Sequence, residues 1–211
     1  MNNFNKNFDL AEELQRKSFH LLILLLPIIY HFLGKHTSLI IFYLLGSIIV
    51  GLDYSRRKFI KIHKFFINNF GKIMRDSEKV PSNMCGISFL FMAAIIIFTI
   101  AKKEIAIISF IILAISDSVA AIIGKSFPSD KFFEKTFNGS LAFATSALII
   151  AVIFGIIFDA QLIYYLFALF AVFATAIIES RPSIFKIDDN FTIPCTFAFL
   201  MTLFDSMWHI F

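Results

Sequence analysis

Ile111-Ile-Leu-Ala-Ile-Ser-Asp117-Ser-Val-Ala-Ala-Ile-Ile-Gly124 sets a single carboxylate inside an apolar run that extends over roughly 104–123. A run of about 20 apolar residues is long enough to cross a bilayer as a helix. An ionisable group in such a segment costs on the order of 3 kcal/mol by insertion scales, so it faces a cavity or a charged partner. In helical geometry Asp117, Ala120 or Ala121, and Gly124 share one face. The alternative to a reactive site is a structural pair with a Lys or Arg of another helix.

Working outward, further apolar runs lie at roughly 18–34, 37–52, 84–101, 141–158, 161–178 and 192–211. At ~1.5 Å rise per residue most can cross a ~30 Å hydrocarbon layer, the second being short. Pro27 falls inside the first, where a membrane helix tolerates a kink. Hydrophobic residues make up 58% of the 211 and charged ones 16%, with mean hydropathy +0.81. A soluble domain of that length cannot bury so much apolar surface. The expected fold is an all-α integral membrane protein, a single-domain bundle of about seven transmembrane helices. Cys85 and Cys195 match neither a zinc spacing nor a disulfide framework and read as buried thiols. The polar lead contains acids and no small-residue cleavage site follows, so the first span is expected to stay.

Lys and Arg set the expected orientation. The N-terminal lead and the stretches 53–83, 124–140 and 179–191 hold 16 of the 19 basic residues, while the opposite side holds Lys35, Lys102 and Lys103. This pattern predicts a cytoplasmic N-terminus in a multi-pass protein of a bacterial cytoplasmic membrane, with its polar motifs facing the cytosol. Between Asp53 and Lys72, Phe59, Ile62, Phe66 and Phe70 recur at helical spacing with Arg57, Lys61 and Lys64 between them. The stretch reads either as an amphipathic helix on anionic headgroups or as an extension of the second span.

The polar motifs carry the chemistry. Lys135-Thr-Phe-Asn-Gly139-Ser140 pairs a phosphate-binding Lys with a Gly that lets backbone approach closely, and Ser140 is a candidate cap for the next helix. It does not match the Gly-rich loop of soluble nucleotide-binding folds. Glu179 sits at a helix end that disfavours negative charge. Asp188-Asp189-Asn190, ahead of Pro194, offers the oxygen ligands that Mg2+ takes, or else a solvated loop with a helix cap. Glu13, Arg16, Lys17 and His20 share one helical face, the two bases reading as phosphate or headgroup ligands or as snorkelling side chains. Arg75, Glu78 and Gly86 are similar in kind, whereas Asp205 and His209 read as structural.

In this order and spacing, Glu13-x-x-Arg16-Lys17-x-x-His20, Arg75-x-x-Glu78 ahead of Gly86, Asp117-x-x-Ala120-x-x-x-Gly124, Lys135-x-x-x-Gly139-Ser140-x-Ala142, and Glu179 with Asp189-Asn190-x-x-x-Pro194 resemble the polyprenol kinase family. That family includes dolichol kinase, phytol kinase and the CTP-dependent diacylglycerol kinase of fungi. The similarity spans residues 13 to 194. Asn138 departs from it, standing where many relatives carry an acid. The resemblance implies transfer of the γ-phosphoryl group of a nucleoside triphosphate, typically CTP, to the hydroxyl of a lipid alcohol dissolved in the membrane, with Mg2+. It implies that Asp117 orients or deprotonates the alcohol or binds metal, and that Lys135 and Glu179 act beside it. Arg16, Lys17, Gly124, Gly139 and Ser140 would cradle the triphosphate, and Asp189, Asn190 and Asp188 would hold the metal. Membrane lipids are the expected surroundings, and no nucleic acid is expected as a partner.

Two other readings compete. A CTP:phosphatidate cytidylyltransferase shares the setting, but the Lys-Asp, His-Gly-Gly and Asp-Arg-x-Asp runs associated with it are missing. A small transporter would use Asp117 as an ion carrier, yet the charges gather at one face without a polar route across.

Overall fold

The computed structural model describes residues 13–71, 74–183 and 187–211. Lys6, Lys72 and Lys186, counted above for orientation, lie outside the described residues. The described chain is almost wholly helical. The helices are α1 (Glu13–Lys58, with a 3-10 turn at Leu21–Leu24), α2 (Ile60–Phe70), α3 (Gly86–Ile100) and α4 (Lys103–Ser126). A two-stranded hairpin, β1 (Lys131–Phe132) and β2 (Lys135–Thr136), leads into α5 (Phe137–Ile157), α6 (Leu162–Glu179) and α7 (Asp189–Trp208).

Five of these helices, α1, α4, α5, α6 and α7, are long and apolar enough to cross a membrane. The apolar runs had pointed to about seven. Two runs, 18–34 and 37–52, merge into α1, and α3 has only 15 residues. Leu22, Ile40, Leu44, Ile149, Phe170 and Phe199 are each more than half exposed. So large an apolar exterior suits a multi-pass membrane protein.

α1 is not straight. Gly34 has φ 73° and ψ 173°, a conformation that favours glycine, and the chain reverses there. Ser38 Oγ donates to the carbonyl of Ile29 at 3.2 Å, nine residues back. Tyr30 and Phe42 both pack on Phe98, with ring centroids 4.5 and 5.1 Å away. In a continuous helix those two residues would be ~18 Å apart. The reversal gathers Lys35, Lys102 and Lys103 at one end, where they donate to Thr99 O, Asp205 and His31 O.

α4 is the central helix: 72% of its most apolar window is buried, against 22 to 39% in the other four. That explains its all-round apolar sequence. Phe110, packed on Phe98 at 5.0 Å, with Ile105, Ile112, Phe143, Tyr164 and Phe197, fills the core around it.

Over 53–71 the chain forms two helical pieces. α1 continues through Lys58, the chain bends at Phe59 (φ −114°, ψ 112°), and α2 follows as a separate helix. Ile62, His63, Phe66 and Ile67 face protein, while Phe59, Ile60, Phe65 and Phe70 stay exposed. The packed face is thus turned from the one that sequence spacing suggested.

Candidate functional site

The hairpin decides where Lys135 goes. β1 and β2 pair antiparallel, Lys131 opposite Thr136 and Phe132 opposite Lys135. Its turn is pinned to the end of α6: Glu134 N donates to Ser180 O at 3.1 Å, and the Arg181 guanidinium lies 3.4 Å from the Phe133 ring centroid. Lys135 Nζ is thereby held 2.5 Å from Glu179 Oε1 and 3.2 Å from Asp189 Oδ2. Burial disfavours the Lys135 ammonium, but Asp189 and Glu179 outweigh it and raise its pKa above that of ordinary lysine. The same ammonium offsets the unfavourable placement of Glu179 at a helix C-terminus.

Asp117 is 3% exposed and accepts from Lys17, itself 4% exposed, while His20 Nε2 lies 3.1 Å from the same oxygen. The face read from Glu13 to His20 therefore enters the bundle rather than snorkelling. Glu13 is also buried and binds Arg16 and, at 2.7 Å, Lys125. Arg75 donates to Asp188 Oδ2 at 2.7 Å. All of these side chains but His20 and Asp188 line one cavity of 370 Å3. Its cations are Arg16, Lys17, Arg75, Lys125 and Lys135, and its acids are Glu13, Asp117, Glu179 and Asp189. Ala120, Ala121 and Gly124 reach it from the face of α4 that carries Asp117.

Two carboxylate oxygens in this group, Glu179 Oε2 and Asp189 Oδ1, are buried without a hydrogen-bond partner among the described residues. Each such atom forgoes about 1–3 kcal/mol unless something meets it. Hard oxygen donors of this kind suit Mg2+, which takes one or two carboxylates and fills the rest of its shell with phosphate and water. Among the described residues no three His, Cys, Asp or Glu form a complete protein cage. The donor set fits an ion shared with a phosphorylated ligand.

The acid pair at 188–189 divides. Asp188 Oδ1 caps α7 by accepting from Asn190 N at 2.9 Å, and its other oxygen takes the Arg75 guanidinium. Burial raises the Asp188 pKa and Arg75 opposes the rise. Asp188 and Asn190 do not line the cavity, whereas Asp189 does. Neighbours at a helix start project in different directions, so Asp189 faces the cavity while Asp188 and Asn190 turn away from it.

Ser140 does not cap α5 either. Thr136 does, its Oγ1 accepting from Gly139 N at 3.2 Å, and Ser140 Oγ is buried with no partner among the described residues. Gly139 and Gly124 line the cavity and also let α4 and α5 touch. A Cβ on Gly139 would stand 2.9 Å from Thr136 Oγ1, 3.1 Å from Ala120 O and 3.4 Å from Gly124 Cα. Gly139→Ala is expected to cost about 1–3 kcal/mol, as overpacking does. A lowered Tm in detergent checks it. Asn138, the departure from the family pattern, fastens the loop by donating to Phe127 O at 3.0 Å.

In sequence, Asp53 and Arg56 look like the start of a basic stretch. Both are buried. Arg56 donates to Asp53 Oδ1 at 2.8 and 3.0 Å, to Glu78 O at 2.9 Å and to Asn83 O at 2.7 Å. Asp53 Oδ2 accepts from Cys85 N and Ser88 Oγ, both at 3.0 Å. This lock sets the 75–86 segment, in which Glu78 accepts from Arg75 N and Gly86 N. Burial pushes the neighbouring Cys85 thiol up to about 12, in keeping with an inert cysteine. The one signal in the sequence was the i,i+3 spacing of Asp53 and Arg56.

No family model matches the chain, and no solved structure matches it. It is 30% identical over 200 residues to the uncharacterized protein RP860 of Rickettsia prowazekii, an alignment covering 94% of this chain and 98% of that relative. Likeness at that level over nearly both lengths places the chain in one family with RP860.

Proposed function

We propose that this protein is a membrane lipid-alcohol kinase of the polyprenol kinase type, transferring the γ-phosphoryl group of CTP to a lipid hydroxyl with Mg2+. The observation that carries the reading is the Lys135 ammonium bridging Glu179 and Asp189, each with an oxygen unpartnered among the described residues, in a cavity shared with Asp117. Phosphoryl transfer needs positioned charge more than covalent chemistry, and this cavity holds five cations for a triphosphate.

In the proposed step the alcohol oxygen attacks the γ-phosphorus. The new O–P bond forms as the bond from the γ-phosphorus to the β–γ bridging oxygen breaks, CDP leaves, and the alcohol proton passes to Asp117. Lys17, Arg16 and Lys135 hold the phosphate oxygens. Glu179 and Asp189 would hold Mg2+, which when bound neutralises charge on the β- and γ-phosphates.

We further infer seven crossings: α1 counts as two about the Gly34 reversal, and α3 is a short one. The N-terminus is cytosolic in a bacterial cytoplasmic membrane, which sets the cavity where a dissolved nucleotide meets a membrane-bound alcohol. The concentration of bases at the cavity end supports that orientation.

Purified protein given lipid alcohols, Mg2+ and γ-labelled CTP or ATP tests the reading. Label should enter the lipid fraction with CTP and stop when EDTA removes the metal. No labelled lipid with either nucleotide would sink it, and transfer of α-label would mean nucleotidyl transfer instead.

A further inference from the structure

The elbow that follows α1 carries positive charge that the cavity does not use. From Tyr54 to Arg75 the sequence holds seven Lys and Arg and no Asp or Glu. Two of the seven turn inward, Arg56 to Asp53 and Arg75 to Asp188, and Lys72 lies outside the described residues. The other four, Arg57, Lys58, Lys61 and Lys64, are exposed and form no ion pair among the described residues. Lys58 rests over the Tyr54 ring, 4.6 Å from its centroid. Cations gathered this closely repel one another unless an external anion meets them.

α2 sets those charges among bulky apolar groups. Ile62, His63, Phe66 and Ile67 make its packed face, and Lys61, Lys64 and Asn68 are exposed. In helical geometry these three form one outward stripe, with Ile60 and Phe65 on its two sides, each four residues from a lysine of the stripe. Ile60 and Phe65 are 61 and 60% exposed, and Phe59, at the bend, is 59% exposed. A soluble acidic partner would meet the lysines and leave these apolar side chains in water. A leaflet of anionic phospholipid meets both, with phosphates at the headgroup level and acyl chains just beneath. Lysine stems lie along apolar surface while their ammonium groups reach a polar layer. The place in the chain agrees. α1 is apolar enough to cross a membrane, it ends at Lys58, and only Phe59 separates it from α2.

We propose that α2 is a binding surface for anionic phospholipid. It lies along the headgroup layer with Arg57, Lys61 and Lys64 against lipid phosphates and with Ile60 and Phe65 dipped into the acyl boundary. No residue of this surface lines the charged cavity, so the proposal stands whether or not the lipid-kinase reading does.

The test uses the full chain purified in detergent and titrated with phosphatidylglycerol or phosphatidylcholine, bound lipid being counted by native mass spectrometry. Phosphatidylglycerol should be retained at least about tenfold more tightly. Arg57→Gln/Lys61→Gln/Lys64→Gln should remove that preference with the Tm unchanged, since each basic residue near an anionic surface adds a several-fold gain. Glycerol 3-phosphate, which has the charge without acyl chains, should not compete. A nitroxide on Phe65→Cys, in vesicles containing phosphatidylglycerol, should be relaxed more by oxygen dissolved in lipid than by a water-soluble nickel chelate. Equal retention of the two lipids, or a preference unchanged in the triple variant, would overturn the proposal. So would competition by glycerol 3-phosphate, a label that meets mainly the chelate, or a label shielded from both by a second copy of the chain.

Discussion

Asp117→Asn is expected to lower phosphate transfer by roughly 10²–10⁴-fold, the range for losing a positioned acid–base group. The variant should also be less stable. Lys17 is 4% exposed and would keep its charge with its carboxylate gone. Stranding one partner of a buried ion pair costs about 3–5 kcal/mol. The two effects come apart in the double variant Lys17→Met/Asp117→Asn, which should regain much of the lost Tm and none of the activity. Transfer assays and thermal unfolding in detergent measure them separately. Retained activity in Asp117→Asn would remove the residue from the reaction, whatever its stability.

The second large effect is structural. Arg56→Met is expected to destabilise by about 3–5 kcal/mol, because the guanidinium is fully buried and Asp53 would be left without its countercharge. The carbonyls of Glu78 and Asn83 would lose their donor as well. Asp53→Asn/Arg56→Met should recover part of the loss, since neither charge then remains unpaired. An unchanged Tm in Arg56→Met would mean that the 75–86 segment is held by other contacts. On the kinase reading proposed above, weaker nucleotide affinity should accompany the lower Tm, because that segment carries Arg75 into the cavity.

These two residues show where sequence reading succeeds and where it stops. Asp117 stood out because a carboxylate in an apolar run has no cheap alternative to burial with a partner, and helical periodicity placed Ala120, Ala121 and Gly124 beside it. Its partner was not legible. Lys17 lies 100 residues earlier, and nothing local separates it from a snorkelling base. Arg56 was hidden for the opposite reason: flanked by Arg57 and Lys58, it looked like one more surface cation. Asp188 and Asp189 looked like a ligand pair because spacing along the chain was read as proximity. A helix start sends adjacent side chains apart, and each found a different cation. The Thr136 cap was missed in favour of Ser140 because both are plausible capping residues, and the hairpin that fixes the helix start has too few residues to leave a periodic trace. The count of long apolar helices falls from about seven to five because the runs 18–34 and 37–52 are joined in one helix kinked at Gly34 and because α3 has only 15 residues.

The charged cavity takes Lys17 from α1 and Asp189 from α7. A chain halted partway through insertion therefore lacks part of the ion-pair set and leaves the early members without counterions in the bilayer. The pocket closes only when α7 has docked, so an insertion intermediate without α7 is marked by a Lys135 ammonium short of its Asp189 partner.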